Sequence, residues 1–150
     1  VPPVTAAVPG TVVFRPRLAR VVTLVLAVAV LVLTGVIAAV LPNAGPLDRV
    51  GFATVGLLIA WFCWRQATVS AKADDTGVTV RNLMLTRRLE WSEIVSVRFG
   101  HGRPWVQLDL ADGDTLAVMG IQRADGERAD AEARRLATLV AQHTRTDRDD

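Results

Sequence analysis

The stretch VVTLVLAVAVLVLTGVIAAVL, residues Val21 to Leu41, runs for twenty-one residues without a charge, a proline or a strongly polar group. As a helix rising about 1.5 Å per residue it reaches roughly 31 Å, the thickness of a bilayer's hydrocarbon core. A second uncharged run, Val50 to Trp64, follows after Pro42 to Arg49, a connection that holds Pro42, Gly45 and Pro46. Such turn chemistry makes the two helices antiparallel. After Arg65 the pattern changes to short alternating strands and one polar helix. The expected class is α+β: a two-helix transmembrane hairpin followed by a bent antiparallel sheet with one C-terminal helix.

Two other readings of the apolar runs fit the residues less well. A secretory signal has a basic lead, as Arg15, Arg17 and Arg20 provide, but an apolar core of only about 7 to 15 residues. The first run is longer, and Pro42-Asn43-Ala44 is a poor cleavage site. The second run could be a buried helix of a soluble domain. Its fifteen residues reach only about 22 Å, although Arg49 and Arg65 can snorkel, and Trp61 and Trp64 suit an interface. A chain of this length has too little other surface to cover both helices, which favours two spans, at 21–41 and about 48–65. Gly35 and Gly56 then fall at similar depth, where close backbone approach helps helices pack.

Charge assigns orientation. Five of the seventeen basic residues and one of the fifteen acidic residues lie in 1–65, leaving +4 there and −2 in 66–150. The basic pI thus belongs to the membrane flank, which argues against a nucleic-acid partner. Arg15, Arg17, Arg20, Arg65 and Lys72 flank the outer ends of the hairpin, whereas the connection holds only Arg49. The positive-inside rule therefore predicts a multi-pass cell-membrane protein with its C-terminal domain in the cytoplasm. Cys63 is the only cysteine, so it has no disulfide partner within the chain.

From Thr68 the period is two. Val69 and Ala71, Val78 and Val80, Leu89 and Trp91, Val95 to Phe99, Val106 to Leu110, and Leu116 with Val118 predict six short strands. Asp74-Asp75-Thr76-Gly77 and Ala111-Asp112-Gly113-Asp114 supply turns. Asp125 can cap a final helix whose Ala129, Ala133, Leu136 and Val140 line one stripe. The expected organisation is a disordered, basic lead (1–20), the hairpin (21–65), the sheet domain (66–143) and a charged tail (144–150).

The string Asp-Asp-Thr-Gly-Val-Thr-Val-Arg-Asn-Leu at 74–83 resembles bacterial pleckstrin-homology (PH)-like domains. Thr86-Arg-Arg-Leu-Glu-Trp-Ser-Glu-Ile94 and the later Ile121-Gln122 resemble them too. With two preceding spans, the chain is similar over about residues 15–143 to the low molecular weight protein antigen 6 family of high-GC Gram-positive bacteria. The resemblance implies a PH-like fold, a strongly bent sheet closed by a terminal helix. Such domains usually have seven strands, one more than the sequence shows.

No Ser/His/Asp set, glycine-rich phosphate loop or catalytic cysteine is present, so no enzyme is expected. No cofactor or metal is expected either, because His101 and His143 lie far apart in sequence and no third ligand is evident. Candidate contacts are Arg81, Arg87 and Arg88 around the Leu83-Met84-Leu85 turn, and His101 and Arg103 in the Gly100 to Pro104 loop. The arginines suit an anionic lipid headgroup, or are strand-face residues paired with carboxylates. Leu83, Met84 and Leu85, if exposed, form an apolar patch for a partner or for lipid. The first expectation is a membrane-anchored adaptor or scaffold binding a protein partner. The alternatives are a headgroup-binding module and an accessory subunit of a transporter or envelope complex.

Overall fold

A computed structural model describes residues 10–146. The elements run β1 (Val12–Phe14), α1 (Arg17–Val40), α2 (Pro46–Ala67), β2 (Ser70–Ala73), β3 (Gly77–Arg81), β4 (Thr86–Glu90), β5 (Ile94–Arg98), β6 (Trp105–Leu110), β7 (Thr115–Gln122) and α3 (Glu127–Thr146). Single 3-10 turns lie at Trp91–Glu93 and Arg123–Asp125. The chain forms two compact units, one of α1 and α2 with their flanks, the other of the strands and α3.

In the helical unit, α1 and α2 are both long and apolar enough to cross a membrane. No residue of α1 is buried, and Val21, Val25, Val28 and Val32 are all exposed. Both helices outrun the apolar runs. The second takes in Pro46 to Arg49 and Arg65 to Ala67, so its 22 residues reach roughly 33 Å rather than 22 Å. Pro46 opens α2 at the first helical position, and the Asp48 carboxylate accepts from the Gly45 N–H at 2.9 Å. The expected glycine pairing is half present. A Cβ at Gly56 would lie 2.9 Å from Thr34 Cβ, but Gly35 has nothing within 4 Å. Cys63 is buried.

In the strand unit, β1 to β4 form one antiparallel sheet in sequential order, and β5 to β7 form a second. Together with α3 they make a PH-like α+β fold of seven strands. The strand missing from the sequence reading is β1, which precedes the helical hairpin. Its register is Val12↔Ala73, Val13↔Lys72 and Phe14↔Ala71. Residues 12–20 therefore do not continue a disordered lead: they hold a core strand and the start of α1. At the other end α3 continues to Thr146, into the region expected to be tail. The expected disorder of residues 1–9 and tail of residues 147–150 lie outside the described residues.

A single core joins both sheets to α3. Phe14, Val78, Val80 and Leu89 from the first sheet meet Val106, Leu108, Val118 and Ile121 from the second, with Ala129, Leu136 and Val140 from α3 closing one side. Gly120 allows β7 to cross close beneath the first sheet. A Cβ there would sit 2.8 Å from the Ala71 nitrogen and 3.0 Å from the Phe14 carbonyl oxygen.

Candidate functional site

The β2–β3 turn is a hydrogen-bonded hub. Asp74 Oδ1 accepts from the Thr76 N–H at 2.9 Å, the Thr76 hydroxyl at 2.7 Å and the Gly77 N–H at 3.1 Å. Such an Asx turn is what Asp at the first position of Asp-Asp-Thr-Gly provides. Arg88, on the strand two away, reaches both carboxylate oxygens from Nη1 and Nη2 at 3.0–3.2 Å. It also donates to Thr79 Oγ1, its neighbour across the ladder, at 2.9 Å and to Thr76 Oγ1. The Trp91 indole N–H meets the Asp74 carbonyl at 3.0 Å. The Arg88 hydrogen bond, then those from Thr76, hold the Asp74 carboxyl well below the usual carboxylate range, and Asp74 in turn raises Arg88.

These contacts disperse the arginine trio. Arg88 faces outward and is committed to Asp74. Arg87 stands opposite buried Val80, on the other face of the strand, and forms an ion pair with Asp112 at 3.8 Å. Arg81 is exposed and opposite Thr86, and it is in no ion pair among the described residues. The carboxylate-paired reading thus fits Arg87 and Arg88. Between β3 and β4 the chain turns through Asn82 to Leu85, closed by Asn82 N–H to Leu85 O at 2.8 Å. Met84 is 74% exposed and Leu85 55% exposed, while Leu83 is half-buried.

The Gly100–Pro104 loop is braced from behind. Arg123 donates from Nε to the Arg103 carbonyl at 3.0 Å and from Nη2 to the Gly100 carbonyl at 2.7 Å, with its guanidinium 4.3 Å over the Phe99 ring. Arg103 turns its side chain to Gln107. His101 is exposed at the tip and makes none of these contacts. Among the described residues no cluster of three or more His, Cys, Asp or Glu could hold a metal ion. His143, far from His101 in sequence, stacks on Trp91 with centroids 4.3 Å apart and planes 9° apart.

A concavity lies away from all of the expected residues. A groove of about 360 Å³ runs between β5 and α3, walled by Val95, Val97, Val140 and Ala141, with Arg145 at one end. It is followed by a second hollow of about 250 Å³ lined by Val97, Phe99, Ala133, Ala137, Asp130 and Arg134. β5 is paired only to β6 and is an edge strand. A register shift between Ile94 and Ser96 leaves Val95 unpaired and 64% exposed. The sequence signal for the groove is the i, i+4, i+8 series Ala133, Ala137, Ala141, whose short side chains leave the space beside β5 unfilled.

Comparison with known proteins agrees with this architecture. The model of the bacterial PH domain family matches residues 68–138. Low molecular weight protein antigen 6 of Mycobacterium tuberculosis is 33% identical over 87 residues, which cover 48% of this chain and 77% of that protein. Uncharacterized proteins of M. tuberculosis and Mycobacterium bovis are 34% identical over 96 residues. That alignment covers 64% of this chain, and the chain spans 62% of the length of those relatives. No solved structure matches.

Proposed function

We propose, from the premise that this chain belongs to the bacterial PH-domain family that includes low molecular weight protein antigen 6, that it is a membrane-anchored, non-enzymatic adaptor. Its α1–α2 hairpin crosses the cell membrane with both outer ends in the cytoplasm. Its PH-like domain there takes up an extended segment of a protein partner along β5. The observation that carries this reading is the groove beside an open strand edge. An edge strand offers backbone donors and acceptors to an added strand, and a flanking groove selects its side chains. Arg134 and Arg145 line the two hollows without an ion-pair partner among the described residues, so the favoured segment joins apolar side chains to a carboxylate.

The headgroup reading has less support, because Arg88 and Arg87 already hold Asp74 and Asp112. A photo-crosslinker placed at Val95 of the full chain in cells tests the adaptor. One protein adduct is expected, absent when the crosslinker sits at Asp75 and lost when Ala137→Leu and Ala141→Leu fill the groove. Adducts to lipid alone, or an adduct indifferent to groove filling in a variant with unchanged melting temperature, would overturn the proposal.

A further inference from the structure

The register of the first sheet sorts its loops into two ends. Phe14 pairs with Ala71, and Ser70 with Arg81, which itself pairs with Thr86. The Asn82–Leu85 turn therefore leaves the sheet at the end where the chain departs β1 for α1 and returns from α2 into β2. Only Arg15 and Pro16 separate β1 from α1, and only Thr68 and Val69 separate α2 from β2. The Asp74–Thr76 turn lies at the opposite end of the same strands.

At the end of the sheet shared by Phe14, Ser70, Arg81 and Thr86 stands the apolar tip. Met84 and Leu85 are exposed, two adjacent large apolar side chains facing solvent on one turn. The turn beneath them is held firmly. Asn82 is buried, its amide donates to the Ala117 carbonyl at 2.7 Å, and its Oδ1 accepts from the Met119 N–H at 3.1 Å. Arg81 and Arg15 flank this end of the sheet, both exposed and outside any ion pair among the described residues. Apolar side chains on a fixed turn with basic residues behind them match the boundary between acyl chains and anionic headgroups.

We propose that the Met84–Leu85 tip inserts into the membrane interface and seats the PH-like domain on the bilayer, with Arg81 against anionic headgroups. The inference rests on the reading that α1 and α2 span that bilayer, but it is independent of any protein partner in the β5 groove.

The test uses the full chain with Cys63→Ala, reconstituted in nanodiscs containing anionic lipid. An environment-sensitive fluorophore is attached singly through Met84→Cys, Asp75→Cys or Val28→Cys, and lipids carry a quencher at a shallow or a deep acyl position. Quenching at Val28 by the deep probe reports the span. At Met84 a blue shift and quenching by the shallow probe are expected, both absent at Asp75, and quenching at Met84 should fall when Arg81→Glu is added. Quenching at Val28 with Met84 no different from Asp75 sinks the insertion while the anchor stands. A blue shift at Met84 without lipid quenching sinks it as well, and indicates that protein covers the tip. Absence of quenching at Val28 removes the span, and the insertion with it.

Discussion

Phe14 and Ala71 sit directly opposite each other in the β1–β2 ladder, although both apolar helices lie between them in the chain. The hairpin is thus an insertion between the first two strands of the PH-like sheet, and the domain begins before it rather than after it. Phe14 is almost fully buried in the shared core, so Phe14→Ala should cost about 3–5 kcal/mol. Neighbouring antiparallel strands can be joined by a turn of about two residues. A chain in which such a turn replaces residues 16–69 should unfold cooperatively in urea. The piece starting at residue 70, without β1, should not. Equal midpoints for the two would contradict the role of β1.

The same pairing constrains topology. With β1 and β2 in one ladder, the outer ends of α1 and α2 must lie on one side of any membrane they cross, and the proposed orientation, from the positive-inside rule, puts that side in the cytoplasm. Reporter enzymes fused after Asp150 and inserted at Asn43 should report opposite sides, the former cytoplasmic. An extracytoplasmic signal after Asp150 would reverse the orientation.

Acid should weaken the β2–β3 turn in a predictable direction. The Asp74 pKa is depressed on folding, so its pairing stabilises the fold above the unfolded carboxylate value near 3.8 and is lost as pH falls through the lower folded value. Asp74→Asn should therefore be destabilising at pH 7, by about 0.5–1 kcal/mol for a solvent-accessible pair. The gap to the parent protein should narrow steadily below pH 4 in urea titrations. A gap that stays constant to pH 2 would rule out the linkage.

Trp91 joins three parts of the domain, through its stack on His143 and its hydrogen bond to the Asp74 carbonyl. His143→Ala should cost about 0.5–1.5 kcal/mol through the lost ring contact. Trp91→Phe, which keeps a ring but removes the indole donor, should cost about 1 kcal/mol from the lost hydrogen bond, before any loss of packing. Urea midpoints of the two variants and of their combination check this. Full additivity would mean that the two contacts are independent.

Asn82 substitutes for a strand partner along β7, meeting Ala117 O and Met119 N–H with one side-chain amide. Asn82→Ala leaves both backbone groups without that partner and should cost about 1–3 kcal/mol. Hydrogen exchange at Met119 should accelerate more than at Val106, in the middle of the core. Unchanged protection at Met119 would show that water replaces the amide.

Among the site residues, the alternation of a strand already separates Arg87 from Arg88, because adjacent positions point to opposite faces. The structure accordingly pairs Arg87 with Asp112 and Arg88 with Asp74, while Arg81 is in no ion pair among the described residues. The exposure of Met84 and Leu85 accords with their place in a turn between polar strands. The groove beside β5 was not legible. The alanine series along α3 marks short side chains and nothing more, because a free strand edge and an unfilled space are both defined by what fails to approach.

What the sequence determined by itself was local: two long apolar helices, period-two strands after Thr68, Asp-rich turns and an amphipathic last helix. Each follows from side chains within a few residues of one another. The tertiary structure alone decided that Val12–Phe14 completes the sheet. Three residues are too few to display a strand period, and their partner lies beyond both helices. It also decided which carboxylates Arg87 and Arg88 meet, and that His143 closes on Trp91. Ladder bonds, ion pairs and ring stacking depend on separation in space, and only the folded chain sets that separation.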